Sequence, residues 1–539
     1  MTEQFDYVVV GAGSAGCVVA SRLAEGGKAR VLLLEAGGSD RTVWIQLPIG
    51  YGRTFFDPRV NWMYDTAPVP GLGGRSSYWP RGKVVGGSGS INAMVHVRGQ
   101  RHDFDDWRDM GNPGWGWDDV LPWFIKAEDS EVIEPGWRGQ GGPQHVTDLA
   151  AKVHPLCRRF IEAGQSLGLP LSPDFNGSQS EGLGTFQITT RDGRRASTAN
   201  EYLRPAIRRG GITLRTRAQV TRILFEGKRA VGVEYSHKGH LHQVRAAGEV
   251  ILCGGAINSP QLLQLSGVGD GAHLQGLGID VVEHRAGVGA NLQDHLAVSY
   301  FHASAVPTLN DELGPLSGKI RAALAYAWNR SGPLAMSVNQ AGGFVRGTPE
   351  ASRVNLQLYF SPVSYTKTPL SERKLANPDP FSAFLLSFNA CRPTSRGWLR
   401  IASPDPLAHP EIQPDYLSTE HDIEEARQGM ALIRRIAQAS PLADVITGQL
   451  VPGPEVVSDD QWLEDFRARA DTVYHPSCTC MMGPDPAGAV VDARLRVHGI
   501  DGLRVIDASA FPTVTSGNTN APVVMLAEKG AAMVIEDRR

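Results

Sequence analysis

The sequence predicts an α/β protein, α+β over its whole length. A Rossmann-like parallel-sheet domain is joined to a second domain built on an antiparallel sheet backed by helices. Three observations predict it. Phe5 to Val10 is an apolar, β-branched run, as a strand buried on both faces requires. It leads into Gly11-Ala-Gly-Ser-Ala-Gly16 and a helical pattern through Val18, Val19 and Leu23. Near the other end, Gly502 to Ser509 reads as another parallel strand, finishing in a polar cluster. Between about 300 and 470, strand-like runs such as Asn355 to Phe360 and Phe384 to Phe388 alternate with Pro-rich turns. They fit an antiparallel sheet with one face on a ligand space.

The first element carries chemistry. Gly11 permits a tight strand-to-helix turn, Gly13 lets a pyrophosphate approach the backbone, and Gly16 lets helix and strand pack closely. The helix start offers free N–H groups and a positive dipole end to that pyrophosphate. A second strand, Arg30 to Glu35, ends in a carboxylate about 20 residues past the glycines, the spacing that places an acceptor on a ribose diol. These features together predict an adenine dinucleotide, with NAD and FAD both open.

Composition sets the bounds. A chain of 539 residues exceeds one ordinary core, so two or more joined domains are expected. A net charge of −3 gives no footprint for nucleic acid or an anionic membrane. No apolar run approaches the roughly 18 residues of a membrane span, which leaves only peripheral membrane contact open. The first strand begins by Phe5, leaving no room for a signal peptide. Six scattered cysteines then predict reduced thiols in the cytoplasm. Cys478 and Cys480 form C-x-C without a second pair, so no metal site is expected.

The remaining elements follow in order. Residues 40–80 read as an excursion over the dinucleotide. Pro80 to Val95 is rich in Gly and Ser, exposing N–H groups for polar ligand atoms. Residues 196–252 read as a small meander returning to a core strand, followed by a helix over Ala256 to Leu265 with Pro260 near its start. Gly287 to His295 closes this half. Ile423, Ala426, Met430, Ile433 and Ala437 recur at helical spacing and predict core packing. Pro522 suits the first turn of a final helix, with Asn518, Thr519 and Asn520 at its positive end.

Four stretches resemble the glucose–methanol–choline (GMC) oxidoreductases: Gly11 to Gly16 with Glu35, Arg81 to Asn92, Gly255 to Gly269, and Tyr474 to Asn520. Arg392 to Gly397 and His475 to Cys480 make the chain most similar to bacterial dehydrogenases of alcohols, choline and sorbose. The resemblance implies FAD and a discontinuous flavin domain over 1–155, 196–300 and 470–539, with 156–195 and 301–469 binding substrate. As linear family units these are about 5–300 and 390–532. It implies that Gly11, Gly13, Ser14, Ala15, Gly16 and Glu35 hold the ADP half and that the Val220 backbone meets the adenine. Val85, Asn92, Ala93, Met94 and Val95 would line the flavin, and Tyr474, Asp507, Asn518 and Thr519 would complete the site. Ile91 stands where some members attach FAD through a histidine, so non-covalent FAD is implied.

The resemblance makes His475 and Asn518 the catalytic pair for oxidising a small alcohol, a primary alcohol or polyol. A neutral imidazole accepts the hydroxyl proton, an amide N–H₂ donates to the same oxygen, and the flavin N5 takes the hydride. Oxygen, a quinone or another carrier would reoxidise the flavin. A hydroxynitrile-lyase-like enzyme with redox-silent FAD and an NAD-dependent dehydrogenase are the alternatives. His295 is expected near the cofactor and His498 exposed. Asn339, Gln340, Tyr359, Phe360, Tyr365 and Trp398 are pocket candidates.

Overall fold

In the computed structural model, residues 3–27, 29–366 and 377–538 are described. The first sheet has seven strands. They are β1 (Glu3–Val10), β2 (Val31–Glu35), β3 (Ile212–Thr216), β4 (Ala218–Glu226), β5 (Arg229–His237), β6 (His240–Leu252) and β7 (Leu503–Val505). Their order is β3-β2-β1-β6-β5-β4, with β7 also on β6. The β3-β2-β1-β6 and β6-β7 pairs are parallel, while β4, β5 and β6 form the expected antiparallel meander. Strand β6 serves both. Its first half closes the meander in solvent, and Val250, Ile251 and Leu252 are buried between β1 and β7.

Helix α1 (Ser14–Leu23) covers this sheet, and α2 (Gly255–Leu265) follows β6. Pro260 stands inside α2, in its second turn rather than near its start. A proline there leaves the carbonyl four residues back without its helical donor. The Thr479 hydroxyl donates to that Ala256 carbonyl at 2.6 Å, so the helix continues unbroken.

The second sheet is antiparallel. Its order is Ile446–Val451, Leu296–Ser304, Ala383–Ala390, Leu356–Ser361, Ala341–Val345, Gly182–Thr185, with Asp471–Thr472 on the start of Leu296–Ser304. Strand alternation divides its faces. Tyr300, Phe360, Leu386 and Phe388 form one core with Ala426, Met430 and Ile433 of helix Glu420–Ala437. Ser299, Phe301, Tyr359, Leu385 and Ser387 face the other way.

Helix α3 (Leu316–Asn329) lies outside that sheet, and α4 (Asn520–Asp537) packs against α1. Arg22 of α1 pairs with buried Glu528 of α4 at 2.7 Å. No helix among the described residues is long and apolar enough to cross a membrane.

Candidate active site

A cavity of about 680 Å³ runs from the ends of β1 and β2 to the open face of the second sheet. At its first end lie Gly11, Gly13, Ser14, Ala15 and Glu35, with Val220 of β4 beside them. Gly16 lies beneath, where a Cβ would stand 1.9 Å from the Gly11 carbonyl oxygen and force α1 off the strand. A Cβ on Gly13 would meet no protein atom closer than 3.8 Å, so its absence leaves room for ligand. Helices α1 and α4 both start at this cavity without a side-chain cap, leaving N–H groups for an anion. The two starts are tied together by the Ser14 hydroxyl, which donates to Asn520 Oδ1 at 2.8 Å.

Glu35 does more than present an acceptor. One carboxylate oxygen accepts from Ala12 N–H at 2.9 Å and the other from Gly37 N–H at 2.8 Å, so it braces both turns. Each oxygen keeps a second lone pair for a ribose hydroxyl. Burial pushes its pKa up to about 7, against the pull of those two N–H groups.

Asn92, Ala93, Met94, Val95, Tyr474, Asp507, Asn518 and Thr519 all line the cavity, as does Ile91. Val85 does not line it. It is buried in the first core, its N–H and C=O spent on Gly38 and Ser90. The Asp507 carboxylate accepts from Gly255 N–H, Ser259 and Ser509, and so shapes the wall. Asn339, Tyr359 and Tyr365 line the cavity, whereas Phe360 is in the core behind it. Gln340 accepts from His154 N–H, and Trp398 stacks under Arg400 in a separate two-stranded ladder. Neither lines the cavity.

At the far end His475 is buried, its Nε2 3.1 Å from Asn518 Nδ2 and its Nδ1 2.9 Å from His295 Nδ1. The contacts fix the protons. His295 Nε2 lies 2.8 Å from the Cys391 carbonyl, which only accepts, so Nε2 carries the proton and Nδ1 is a lone pair. His475 must then donate from Nδ1, which leaves its Nε2 lone pair toward the cavity. Asn518 is oriented likewise, because Gln357 Nε2 donates to its Oδ1 at 3.2 Å and turns the amide N–H₂ to His475. Burial first, then His295 and the Arg81 cation, push His475 well below the usual imidazole range. Burial lowers His295 to about 4. Both rings are therefore neutral at neutral pH.

The loop carrying His475 is held in place. Tyr474 has φ 72°, a left-handed conformation that costs a non-glycine residue roughly 1–2 kcal/mol. Its N–H donates to Thr472 Oγ1 at 2.7 Å, and its carbonyl accepts from Arg81 at 2.7 Å. Asp294 accepts from His475 N–H at 2.7 Å, from Thr472 at 2.5 Å and from Tyr416. Burial nevertheless raises Asp294 to about 6. Sequence reasoning missed Asp294, Gln357 and Tyr416, which reach the site from three separate segments. It placed His295 near the cofactor without its link to His475. His498 is half-buried rather than exposed, with its Nε2 on the Gly483 carbonyl at 3.0 Å.

Known proteins resemble this chain over nearly its whole length. The N-terminal GMC oxidoreductase model matches residues 5–297 and the C-terminal one residues 393–527. The chain is 44% identical to mitochondrial choline dehydrogenase of Homo sapiens, over 99% of this chain and 90% of that protein. It is 40% identical to alcohol dehydrogenase [acceptor] of Pseudomonas putida, over 98% and 96%. Among solved structures, pyridoxine 4-oxidase from Mesorbium loti superposes with TM-score 0.87 at 33% identity, covering 98% of both chains. A formate oxidase superposes with TM-score 0.91 at 25% identity, covering 99% of both. Matched along nearly its whole length, the chain belongs to the GMC oxidoreductases, and its cofactor is FAD.

Proposed function

We propose that the protein oxidises the CH–OH group of a primary alcohol or polyol, with His475 as the base and Asn518 as the donor that steadies the substrate oxygen. One observation carries the reading: the Nε2 lone pair of a buried, neutral His475 and the Asn518 amide meet 3.1 Å apart on the cavity wall. An alcohol oxygen that reaches both groups takes the place of the direct Asn518–Nε2 hydrogen bond, giving its proton to Nε2 while Asn518 N–H donates to the oxygen. As that O–H bond breaks and the carbonyl forms, the carbon releases a hydride. FAD supplies the hydride acceptor when bound. Helix α4, starting beside Asn518, brings a positive dipole end to the same place, where negative charge develops.

The residues present fit FAD. Gly13 leaves backbone access at the uncapped start of α1, and Glu35 keeps lone pairs for a ribose. Ile91 has no nucleophile to bond the flavin, which supports dissociable FAD. Relatives named for choline and for alcohols support the substrate class, and favour neither a redox-silent lyase nor an NAD enzyme. Oxygen or a quinone then takes the electrons. Six buried, unpaired cysteines support a reducing compartment such as the cytoplasm. The test is anaerobic mixing of the yellow protein with a panel of alcohols that includes choline and primary alkanols. Bleaching of the flavin by a member of the panel is expected, and a panel that leaves it oxidised argues against the proposal. Repeating the reduction with oxygen and with a quinone analogue identifies the acceptor.

A further inference from the structure

Helix α3 is inside out for a helix of a water-soluble surface. Leu316, Ile320, Leu324 and Trp328 recur every fourth residue and form one stripe, exposed by 74%, 51%, 65% and 91%. The residues it buries are small, Gly318 and Ala322. At about 100° per residue, the buried positions lie nearly opposite the stripe. A helix folding only against its own protein would bury the large residues and expose the small ones.

The charges around the stripe say what covers it. By the same rotation, Lys319 and Arg321 flank it on its two sides, and Arg330 follows the last turn. From Leu313 to Pro349 the chain holds four cations and no carboxylate, although the net charge of the protein is −3. Lys319, Arg321 and Arg330 have no ion pair among the described residues, and Arg194 approaches Tyr326 from the neighbouring hairpin. Among the described residues, acidic groups nearby are few: Asp311 accepts from Thr308 and Ser382, while Glu312 and Asp192 are exposed. A second copy of the chain would bring the same cations to both edges of the stripe. An anionic lipid surface brings headgroups of opposite sign to the edges and acyl chains to the middle.

We propose that α3 docks the protein on an anionic bilayer, lying in the interface with Leu316, Ile320, Leu324 and Trp328 inserted. Fourteen residues span about 21 Å, too short to cross a hydrocarbon core of roughly 30 Å, so the helix lies on the membrane. Its inner face rests on the cavity wall. Ala322 is buried in a cluster with Tyr51, Met94 and Val338, all three of which line the cavity. Docking therefore brings that wall against the lipid. The inference does not depend on the proposed alcohol chemistry.

Flotation of the FAD-loaded full chain tests it, with vesicles of phosphatidylcholine alone and of phosphatidylcholine mixed with phosphatidylglycerol. The wild type is expected to float with the mixed vesicles and to be released by salt. L324S/W328S, far from the catalytic machinery, should lose partitioning about tenfold or more. Its rate on a water-soluble alcohol should be unchanged. Each cation near such a surface is worth roughly fivefold, so R321E should lose at least that. Wild type that stays below the anionic vesicles, or L324S/W328S that floats as well as wild type, overturns the proposal. A wild-type dimer that L324S/W328S splits into monomers in light scattering also overturns it, because the stripe then belongs to a second copy.

Discussion

Replacing His295 with leucine removes the acceptor that faces His475 Nδ1 at 2.9 Å and keeps an apolar group of similar bulk in a fully buried position. The His475 Nδ1–H is then a buried donor without a partner, which costs about 1–3 kcal/mol. Moving that proton to Nε2 relieves the cost, but it occupies the lone pair proposed to accept from the substrate. At 1.4 kcal/mol per factor of ten, the reactive tautomer falls roughly five- to 150-fold. Flavin reduction should slow by the same factor. The pH profile separates this from mere loss of packing. Burial, His295 and Arg81, in that order, hold His475 below the ordinary imidazole value, the His295 share being that of its cation, which forms only near pH 4. At working pH His295 is neutral and accepts from His475 Nδ1–H, which supports the imidazolium, so its loss to leucine lowers the His475 pKa further. A base is active above its pKa and lost as pH falls through it, so the acid limb of the rate profile moves to lower pH in the variant. Anaerobic stopped-flow reduction across pH, with FAD content measured for each protein, reads both effects. His295→Gln, whose Oε1 accepts from Nδ1–H, should restore part of the rate. Wild-type rates at every pH in His295→Leu, with FAD intact, would show that the relay orders nothing.

His475→Ala should slow flavin reduction by roughly 10²–10⁴-fold with FAD still bound, since the proposed base is lost and the dinucleotide end is untouched. Asn518→Ala should cost on the order of 10²–10³, mostly in kcat, and the double variant little more than His475→Ala, all read in the same stopped-flow experiment. Glu35→Gln turns one amide N–H₂ against the N–H of Ala12 or Gly37. FAD should dissociate roughly five- to 150-fold more readily, measured by fluorescence of released flavin, and an unchanged dissociation constant would count against the brace. Acid precipitation should release all flavin into the supernatant, and colour kept by the washed pellet would mean a covalent bond.

The dinucleotide end was legible because its signal is local. Strand, glycines, helix and Glu35 fall within one short stretch, and Gly16 reports a close approach made by its near neighbour Gly11. The proposed catalytic end was legible only in part. Asp294 precedes His295 in sequence, yet its partners Tyr416, Thr472 and His475 come from 122 to 181 residues away, and no spacing announces them. Tyr359 and Phe360 both looked like pocket residues, but adjacent strand positions face opposite sides, and which side holds the ligand is set by the sheet's neighbours. The same limit hid α3. Periodicity shows that a helix has an apolar stripe and does not say on which side the protein lies.

The hydrogen bond from Ser14 to Asn520 joins residues 506 positions apart, and Arg22 meets Glu528 over the same distance. Protein synthesis is directional, so the glycine turn leaves the ribosome long before the helix that completes its pocket. Until β7 has paired with β6 and α4 has settled on α1, the side of α1 that α4 covers is bare. A nascent chain in that state has a glycine turn without its counterpart and hydrophobic surface that chaperones recognise. Cofactor loading is thereby expected to wait on β7 and α4, and a chain cut short before Leu503 should accumulate as colourless protein.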